Sequence, residues 1–217
     1  MIKSVLAGAA LCSVLPAFAA TNLLTDGSFE SSGVTAGNHV DFSGSALAGW
    51  MALPGSIIEV RNDLVGTAKD GGDFVELDST HNSSMLTSFD TLAGKTYSLS
   101  FYYSGRAADT GYNPGFAGGV VPSSSNQLTV DFGTGPITLT PATNTTSDNL
   151  WTPYTTTFTG TGMSMSLEFS AAGTGDSFGA SLDDISVMAV PEPATMAMMG
   201  AGLLGLLGLG RRRGRGR

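Results

Sequence analysis

Alternation of apolar and polar side chains is the feature that most restricts how this chain can fold. It is clearest in three segments, residues 97–103, 128–132 and 163–169. A period of two sends successive side chains to opposite faces of an extended chain, so each segment predicts a β-strand with one buried face. No segment shows the 3.6-residue period that indicates an amphipathic helix.

Shorter or less regular apolar patterns predict further strands, separated by Gly, Pro, Asn and Asp residues that favour turns. Many short strands divided by turns are typical of an antiparallel sandwich. We therefore predict an all-β fold, an antiparallel β-sandwich with jelly-roll topology. The further strands are expected at residues 22–30, 56–61, 73–78, 85–89, 137–140, 154–159 and 181–187.

Three long segments rich in Gly, Ser, Asn and Pro are expected to be loops, residues 31–50, 105–125 and 141–150. Loops of this length on a rigid sandwich are frequent places for binding sites.

The first 19 residues predict a secretory signal peptide. Lys3 precedes an apolar run, residues 5–15, that is too short to span a bilayer as a stable helix. Small residues at Ala17 and Ala19 favour cleavage after Ala19. Cys12 would leave with this peptide, so the exported domain has no disulfide. A lipoprotein with Cys12 as the lipidated residue is a less favoured alternative, because Leu11 stands where a small residue is needed.

The C-terminus has three parts in order: Pro191-Glu192-Pro193, an uncharged segment at 194–210, and five arginines within 211–217. Seventeen residues are at the lower limit for crossing the hydrocarbon core of a membrane, and arginines beyond such a segment stay on the cytoplasmic side. The pattern predicts a transmembrane helix at 194–210 followed by an Arg-rich tail.

This order of motif, helix and arginines resembles the PEP-CTERM sorting signal of Gram-negative bacteria that make extracellular polysaccharide. The resemblance assigns residues 190–217 to the signal and Pro191, Glu192 and Pro193 to its motif. It implies an exosortase as partner, a transient anchor in the inner membrane, and a destination at the cell envelope, cell surface or extracellular matrix. An ordinary single-span anchor with a proline-bearing stalk is the alternative.

The domain between the two ends, residues 20–189, is strongly acidic. Residues 20–190 hold 17 of the 18 acidic residues but only four of the ten Lys and Arg residues, a formal charge of −13. Nucleic acid is excluded as a partner, because its binding depends on neutralising phosphates with Lys and Arg. A divalent cation is favoured instead.

A second resemblance covers most of this domain. Its motifs are similar, in order, to those of the galactose-binding-like jelly rolls, which include many carbohydrate-binding modules, and of a related plant cell-wall family of unassigned role. They are Asn22-Leu23-Leu24-Thr25-Asp26-Gly27-Ser28-Phe29-Glu30, Gly49-Trp50, Phe74-Val75-Glu76-Leu77-Asp78, Tyr97-Ser98-Leu99-Ser100-Phe101, Trp151-Thr152-Pro153-Tyr154 and Leu182-Asp183-Asp184-Ile185-Ser186-Val187.

The last of these motifs also changes phase, because Leu182 and Ile185 lie on opposite parities with Asp183 and Asp184 between them. The change predicts a bulge or a ligand site. The second resemblance implies a structural calcium ion that joins the first and last strands through Glu30 and Asp183. Asp184 is a weaker candidate ligand, and solvated surface carboxylates are the alternative.

Sugar binding requires exposed aromatic rings and polar groups that hydrogen-bond hydroxyls. Tyr112 and Phe116 lie in a long polar segment, Tyr102 falls on the polar face of its strand, and Arg106 follows shortly after. We predict these four as carbohydrate-binding residues and extracellular polysaccharide as the partner.

Catalysis finds little support in the sequence. The chain has no His-x-x-x-His pair and no Gly-x-Ser-x-Gly elbow, and its single cysteine lies in the signal peptide. The prediction is a non-catalytic exported protein that binds polysaccharide. A small secreted glycan-active enzyme and a protein-binding adhesin or coat subunit are the alternatives.

Overall fold

The structure, a computed structural model, describes residues 21–191. In this range eleven β-strands account for the regular structure together with one 3₁₀ turn at Ala117–Gly119, and no helix is long and apolar enough to cross a membrane. The strands are β1 (Asn38–Phe42), β2 (Met51–Ala52), β3 (Ile58–Asn62), β4 (Asp73–Glu76), β5 (Ser84–Asp90), β6 (Thr96–Ser104), β7 (Leu128–Asp131), β8 (Ile137–Leu139), β9 (Thr152–Thr159), β10 (Ser164–Ala171) and β11 (Ser181–Ala189).

The strands form two antiparallel sheets. The six-stranded sheet has the order β1-β3-β4-β11-β6-β9, and the five-stranded sheet has the order β2-β5-β10-β7-β8. Most consecutive strands lie in opposite sheets, as in β4 to β7 and again in β9 to β11, which is the pattern of a jelly roll. The predicted all-β antiparallel sandwich is confirmed.

The hydrophobic core lies between the two sheets, and the period-two segments supply it. In β6 the side chains of Leu99 and Phe101 are fully buried, while the intervening serines face outward. The Phe101 ring meets Phe169 of β10 edge to face at 4.9 Å and stacks on Tyr154 of β9 at 4.8 Å. Each large apolar side chain buried in this way contributes about 1.5–3 kcal/mol to folding.

The strand predicted at residues 22–30 is wrong. The segment consists of turns and bends, and Asp26 and Phe29 have φ angles of 54° and 63°, which are incompatible with extended backbone. It is nevertheless held against β11, because the N–H of Leu23 donates to the Val187 carbonyl at 2.8 Å and the N–H of Ile185 donates to the Gly27 carbonyl at 2.9 Å. Hydrogen bonds to β11 are therefore made without a regular strand.

The loop predicted at residues 31–50 is also wrong in part, because it contains β1. This strand pairs with β3 from Asn38 opposite Asn62 to Phe42 opposite Ile58. It is a short edge strand with side chains exposed on both faces, and its apolar alternation is limited to Val40 and Phe42. The other two long segments, residues 105–125 and 141–150, lie outside the strands as predicted, apart from the 3₁₀ turn.

The phase change in the last strand is a β-bulge. The pairing of β11 with β6 shifts register between Asp183 and Ser186, and Asp184 has a φ angle of 50°. The bulge lets Leu182 and Ile185 both enter the core, each with 1% of its surface exposed. It also turns the Ile185 N–H away from β6 and towards Gly27.

Replacing Gly27 with alanine should destabilise the fold by roughly 2 kcal/mol, the usual scale of a steric clash in a packed region. A Cβ atom at this position would lie 1.9 Å from the carbonyl oxygen of Ile185, so the contact with β11 would have to open. Urea unfolding measures the effect. Gly175→Ala is the matched control, because its Cβ would find no atom closer than 3.7 Å. Equal stability of the two variants would contradict the proposed contact.

Candidate functional site

A pocket of about 370 Å³ lies over the outer face of the six-stranded sheet. Glu59 and Arg61 of β3 form its floor, because they alternate with Ile58 and Val60, which face the core. Arg106, which follows β6, completes the floor. Its remaining lining comes from β1, the β3–β4 and β4–β5 connections, the long loop after β6 and the β10–β11 loop: His39, Asp41, Leu64, Val65, Ser79, Thr80, Tyr112, Pro114, Ser177 and Phe178.

The floor is a buried chain of ion pairs. Glu59 lies directly opposite Glu76 of β4 in the strand register, an arrangement that is unfavourable for two like charges. Arg61 contacts both carboxylates, with Nε 2.5 Å from Glu59 Oε1 and Nη1 2.7 Å from Glu76 Oε2. Arg106 Nη1 reaches the same Glu76 oxygen at 2.6 Å. All four side chains are at most 7% exposed, so each charge depends on its partners.

The protonation of these groups follows from burial and pairing. Burial opposes ionisation of Glu59, but the charge and hydrogen bond of Arg61 outweigh it and lower the pKa of Glu59. Burial raises the pKa of Glu76, against the attraction of Arg106 and Arg61. Burial also disfavours the charged form of Arg61, yet Glu76 and Glu59 raise its pKa above the ordinary value. The pair of Glu59 and Arg61 is therefore ionised at neutral pH.

Arg106 also organises the loop that carries Tyr112. Its Nε donates to Asn113 Oδ1 at 2.6 Å, and its Nη2 donates to the Tyr112 carbonyl at 3.4 Å. Asn113 donates in turn to the carbonyls of Ala107 and Gly119 at 2.8 and 2.7 Å. These bonds fix the backbone beside Tyr112 while its side chain stays 53% exposed at the pocket.

Of the four predicted sugar-binding residues, the structure brings Arg106 and Tyr112 together at this pocket. Phe116 lies behind it, with its ring edge to face against Phe178 at 5.0 Å. Tyr102 does not line the pocket, and its ring instead lies beneath the ammonium group of Lys69 at 4.6 Å.

Sequence reasoning missed most of the pocket. One signal was present, since Glu59 and Arg61 place opposite charges on one face of a predicted strand whose other face is apolar. No comparable signal marked His39 and Asp41, because β1 was predicted to be loop.

Glu30 and Asp183, the predicted calcium ligands, contact the same connection between β3 and β4. Asp183 Oδ2 accepts from the N–H groups of Lys69 and Asp70 at 2.6 and 3.0 Å, and its Oδ1 accepts from the N–H of Asp184 at 2.6 Å. Glu30 Oε1 accepts from the N–H groups of Gly72 and Asp73 at 3.0 and 2.8 Å. Burial raises the pKa of Asp183 to about 7, against these backbone donors.

This arrangement fits a calcium ion only in part. The two carboxylates are tied to adjacent positions of one loop, which brings negative charge to it, but backbone N–H groups already occupy three of their four oxygens. Residues 21–191 contain no group of three or more His, Cys, Asp or Glu side chains suited to a metal. A cation here would need backbone carbonyls or water as further ligands.

A larger depression, of about 460 Å³, lies on the outer face of the five-stranded sheet. Its polar lining comes mainly from Asp131, Ser164, Ser166 and Glu168. The one aromatic residue that lines it, Phe132, is 96% buried and packs on Phe158. It therefore presents no exposed aromatic ring, unlike the pocket beside Tyr112.

Comparison with known proteins identifies the C-terminus. Residues 189–213 match the family described as the PEP-CTERM protein-sorting motif. The chain carries a PEP-CTERM sorting signal. Pro191 is the last residue that the structure describes. Glu192, Pro193, the predicted helix at 194–210, the arginine tail and the predicted signal peptide lie outside the described residues.

No curated protein sequence matches the chain. Among solved structures it is similar to a family 35 carbohydrate-binding module from Paenibacillus barcinonensis, with 14% identity, a TM-score of 0.40 and coverage of 71% of this chain and 100% of that one. It is also similar to the family 61 module TmCBM61 in complex with β-1,4-galactotriose, with 14% identity, a TM-score of 0.42 and coverage of 78% of this chain and 99% of that one. The family 35 module from Cellvibrio japonicus Abf62 has 15% identity and a TM-score of 0.42, with coverage of 69% of this chain and 92% of that one.

Proposed function

We propose that this PEP-CTERM protein is exported, sorted to the cell surface by an exosortase, and binds polysaccharide non-catalytically at the pocket beside Tyr112. The observation that carries the binding proposal is the pairing of an exposed aromatic ring with a rigid polar floor. An aromatic face stacks on the C–H groups of a sugar ring, and fixed polar groups hydrogen-bond its hydroxyls. The ion pairs hold that floor in one geometry before any ligand arrives.

The state of the pocket acids supports binding rather than hydrolysis. Glycosidases use a pair of carboxyl groups, one of which must hold a proton that it can donate. Glu59 has a lowered pKa and is bound to Arg61. Asp41, the other acid of the lining, accepts a hydrogen bond from the Ser79 hydroxyl at 3.1 Å. Glu59 is therefore poorly suited to donate a proton at neutral pH.

The sorting motif supports the proposed location. In this proposal the exosortase recognises Pro191-Glu192-Pro193, and the segment at 194–210 anchors the chain in the inner membrane until the signal is processed. The acidic sandwich then resides on the envelope or in the extracellular matrix. A calcium ion bound at Glu30 and Asp183 would hold the β3–β4 connection against β11.

Tyr112→Ala should weaken binding to a cognate glycan by about tenfold or more, because losing one stacking ring costs on the order of 1.4 kcal/mol. Tyr112→Phe should keep most of the affinity. Isothermal titration of the exported protein, with a ligand chosen from a glycan array, measures both. Leu92→Ala is the matched control, since Leu92 is 67% exposed and lies outside the pocket. Equal affinities for the Tyr112→Ala and Leu92→Ala variants would move the binding site elsewhere.

Calcium should raise the melting temperature of the exported protein, and a chelator should reverse the shift. A ligand at one hundred times its dissociation constant stabilises by about 2.7 kcal/mol, which calorimetry resolves easily. Glu30→Gln and Asp183→Asn should remove the calcium response, whereas Asp90→Asn, on the exposed end of β5, should keep it. If calcium has no effect on the parent protein, the two carboxylates serve only as acceptors for backbone N–H groups.

Mass spectrometry of the protein from a host with an exosortase should find chains that begin near Ala20 and lack Arg211–Arg217. Replacing Pro191, Glu192 and Pro193 together with alanine should retain the arginine tail, because the recognition motif is lost. A host without the exosortase is the control. Intact tails on most parent molecules in the competent host would contradict the sorting proposal.

A further inference from the structure

We infer that the pocket selects electrically neutral polysaccharide and discriminates against chains that contain uronic acids. This inference rests on the proposed function and adds the chemical class of the ligand. Two arginines in the floor would at first sight suggest the opposite, a site for carboxylate groups. The contacts of those arginines decide the question.

Each of the three nitrogens of the Arg106 guanidinium group already has a partner in the protein. Its Nη1 contacts Glu76, its Nε donates to Asn113 and its Nη2 donates to the Tyr112 carbonyl. A bidentate pair with a sugar carboxylate needs two adjacent N–H groups in one plane. Forming one through Nε and Nη2 would break the bonds to Asn113 and Tyr112 that hold the long loop in place.

Arg61 is engaged through two of its three nitrogens. Its Nε donates to Glu59, and its Nη1 lies 2.7 Å from Glu76 Oε2. That contact lacks hydrogen-bond geometry, so Nη1 has no hydrogen-bond partner, but the atom is buried beneath the floor and is not presented to the pocket. The positive charge of Arg61 is therefore paired with the carboxyl groups of Glu59 and Glu76.

Three carboxyl groups already surround the two arginines of the pocket. Asp41 and Glu59 line the pocket with Arg61, Arg106 and His39, and Glu76 contacts the two arginines from behind. An incoming carboxylate would lose its hydration and would have to compete with these acids for the two arginines, which is unfavourable. The charge of −13 over residues 20–190 also repels an acidic polymer before contact.

Neutral sugars meet suitable groups in the same pocket. Asp41 has an exposed carboxylate that accepts hydrogen bonds from hydroxyls, and Ser79 and Thr80 add hydroxyls of their own. The ring of Tyr112 offers a stacking surface that is indifferent to ligand charge. Hydroxyl recognition by carboxylate acceptors requires no free cation.

The test compares matched polymers on the exported protein. A panel of neutral polysaccharides is titrated beside uronic polymers, and each uronic polymer is also tested after chemical reduction of its carboxyl groups to alcohols. We expect binding to neutral members, at least about tenfold weaker binding to uronic polymers at low salt, and a gain in affinity on carboxyl reduction. The difference should shrink as salt screens the repulsion.

Two variants separate the pocket from the overall charge. Asp41→Asn should raise affinity for the uronic polymers, whereas Asp90→Asn, with the same change in net charge on the other sheet, should not. Equal or tighter binding of uronic polymers by the parent protein overturns the inference while leaving the proposed function intact. Failure of every polymer, neutral and uronic, refutes the proposed function and the inference with it.

Discussion

The buried carboxylate of Glu76 is the interaction on which the outer face of the six-stranded sheet depends. Its Oε2 meets both Arg61 and Arg106, and its Oε1 accepts from the N–H of Gly179 at 2.7 Å. One side chain thereby joins β3, β4, the loop after β6 and the β10–β11 loop. Replacing one member of such a chain leaves a buried charge without a partner, which commonly costs about 3–5 kcal/mol. The pocket geometry therefore follows from this one residue.

Carboxylates also hold distant segments of the domain together, and residues 20–190 contain no cysteine that could do so through a disulfide. Asp183 and Glu30 bind backbone N–H groups of the β3–β4 connection from two sides. Asp148 binds the same connection from the 141–150 loop, where it accepts from the N–H and hydroxyl of Thr67, both at 2.8 Å. Much of the acidic charge of the domain thus has a structural role, although the sequence presents it only as an excess of Asp and Glu.

The sequence predicted most strands, and it did so where one face is apolar. Residues 97–103, 128–132 and 163–169 all lie in or against observed strands, because burying Leu99, Phe101 or Phe169 leaves a local period of two. The prediction failed at residues 22–30, where Asp26 and Phe29 have positive φ angles, and at β1, where only Val40 and Phe42 are apolar. The conformations of these two segments are set by hydrogen bonds to β11 and to β3, respectively. Such bonds join distant residues and leave no periodic pattern in the local sequence.

Some features of the candidate site could likewise be predicted from the sequence, and others only from the tertiary structure. Composition and local pattern determined that the domain is an acidic antiparallel sandwich, that its long loops hold Arg106 and Tyr112, and that its C-terminus carries a sorting motif, because each of these is a property of neighbouring residues. Only the tertiary structure decided that Glu59, Arg61 and Glu76 lie under those loops. Residues far apart in sequence form these ion pairs, and pairing across a sheet is set by register and loop closure, which no local periodicity encodes.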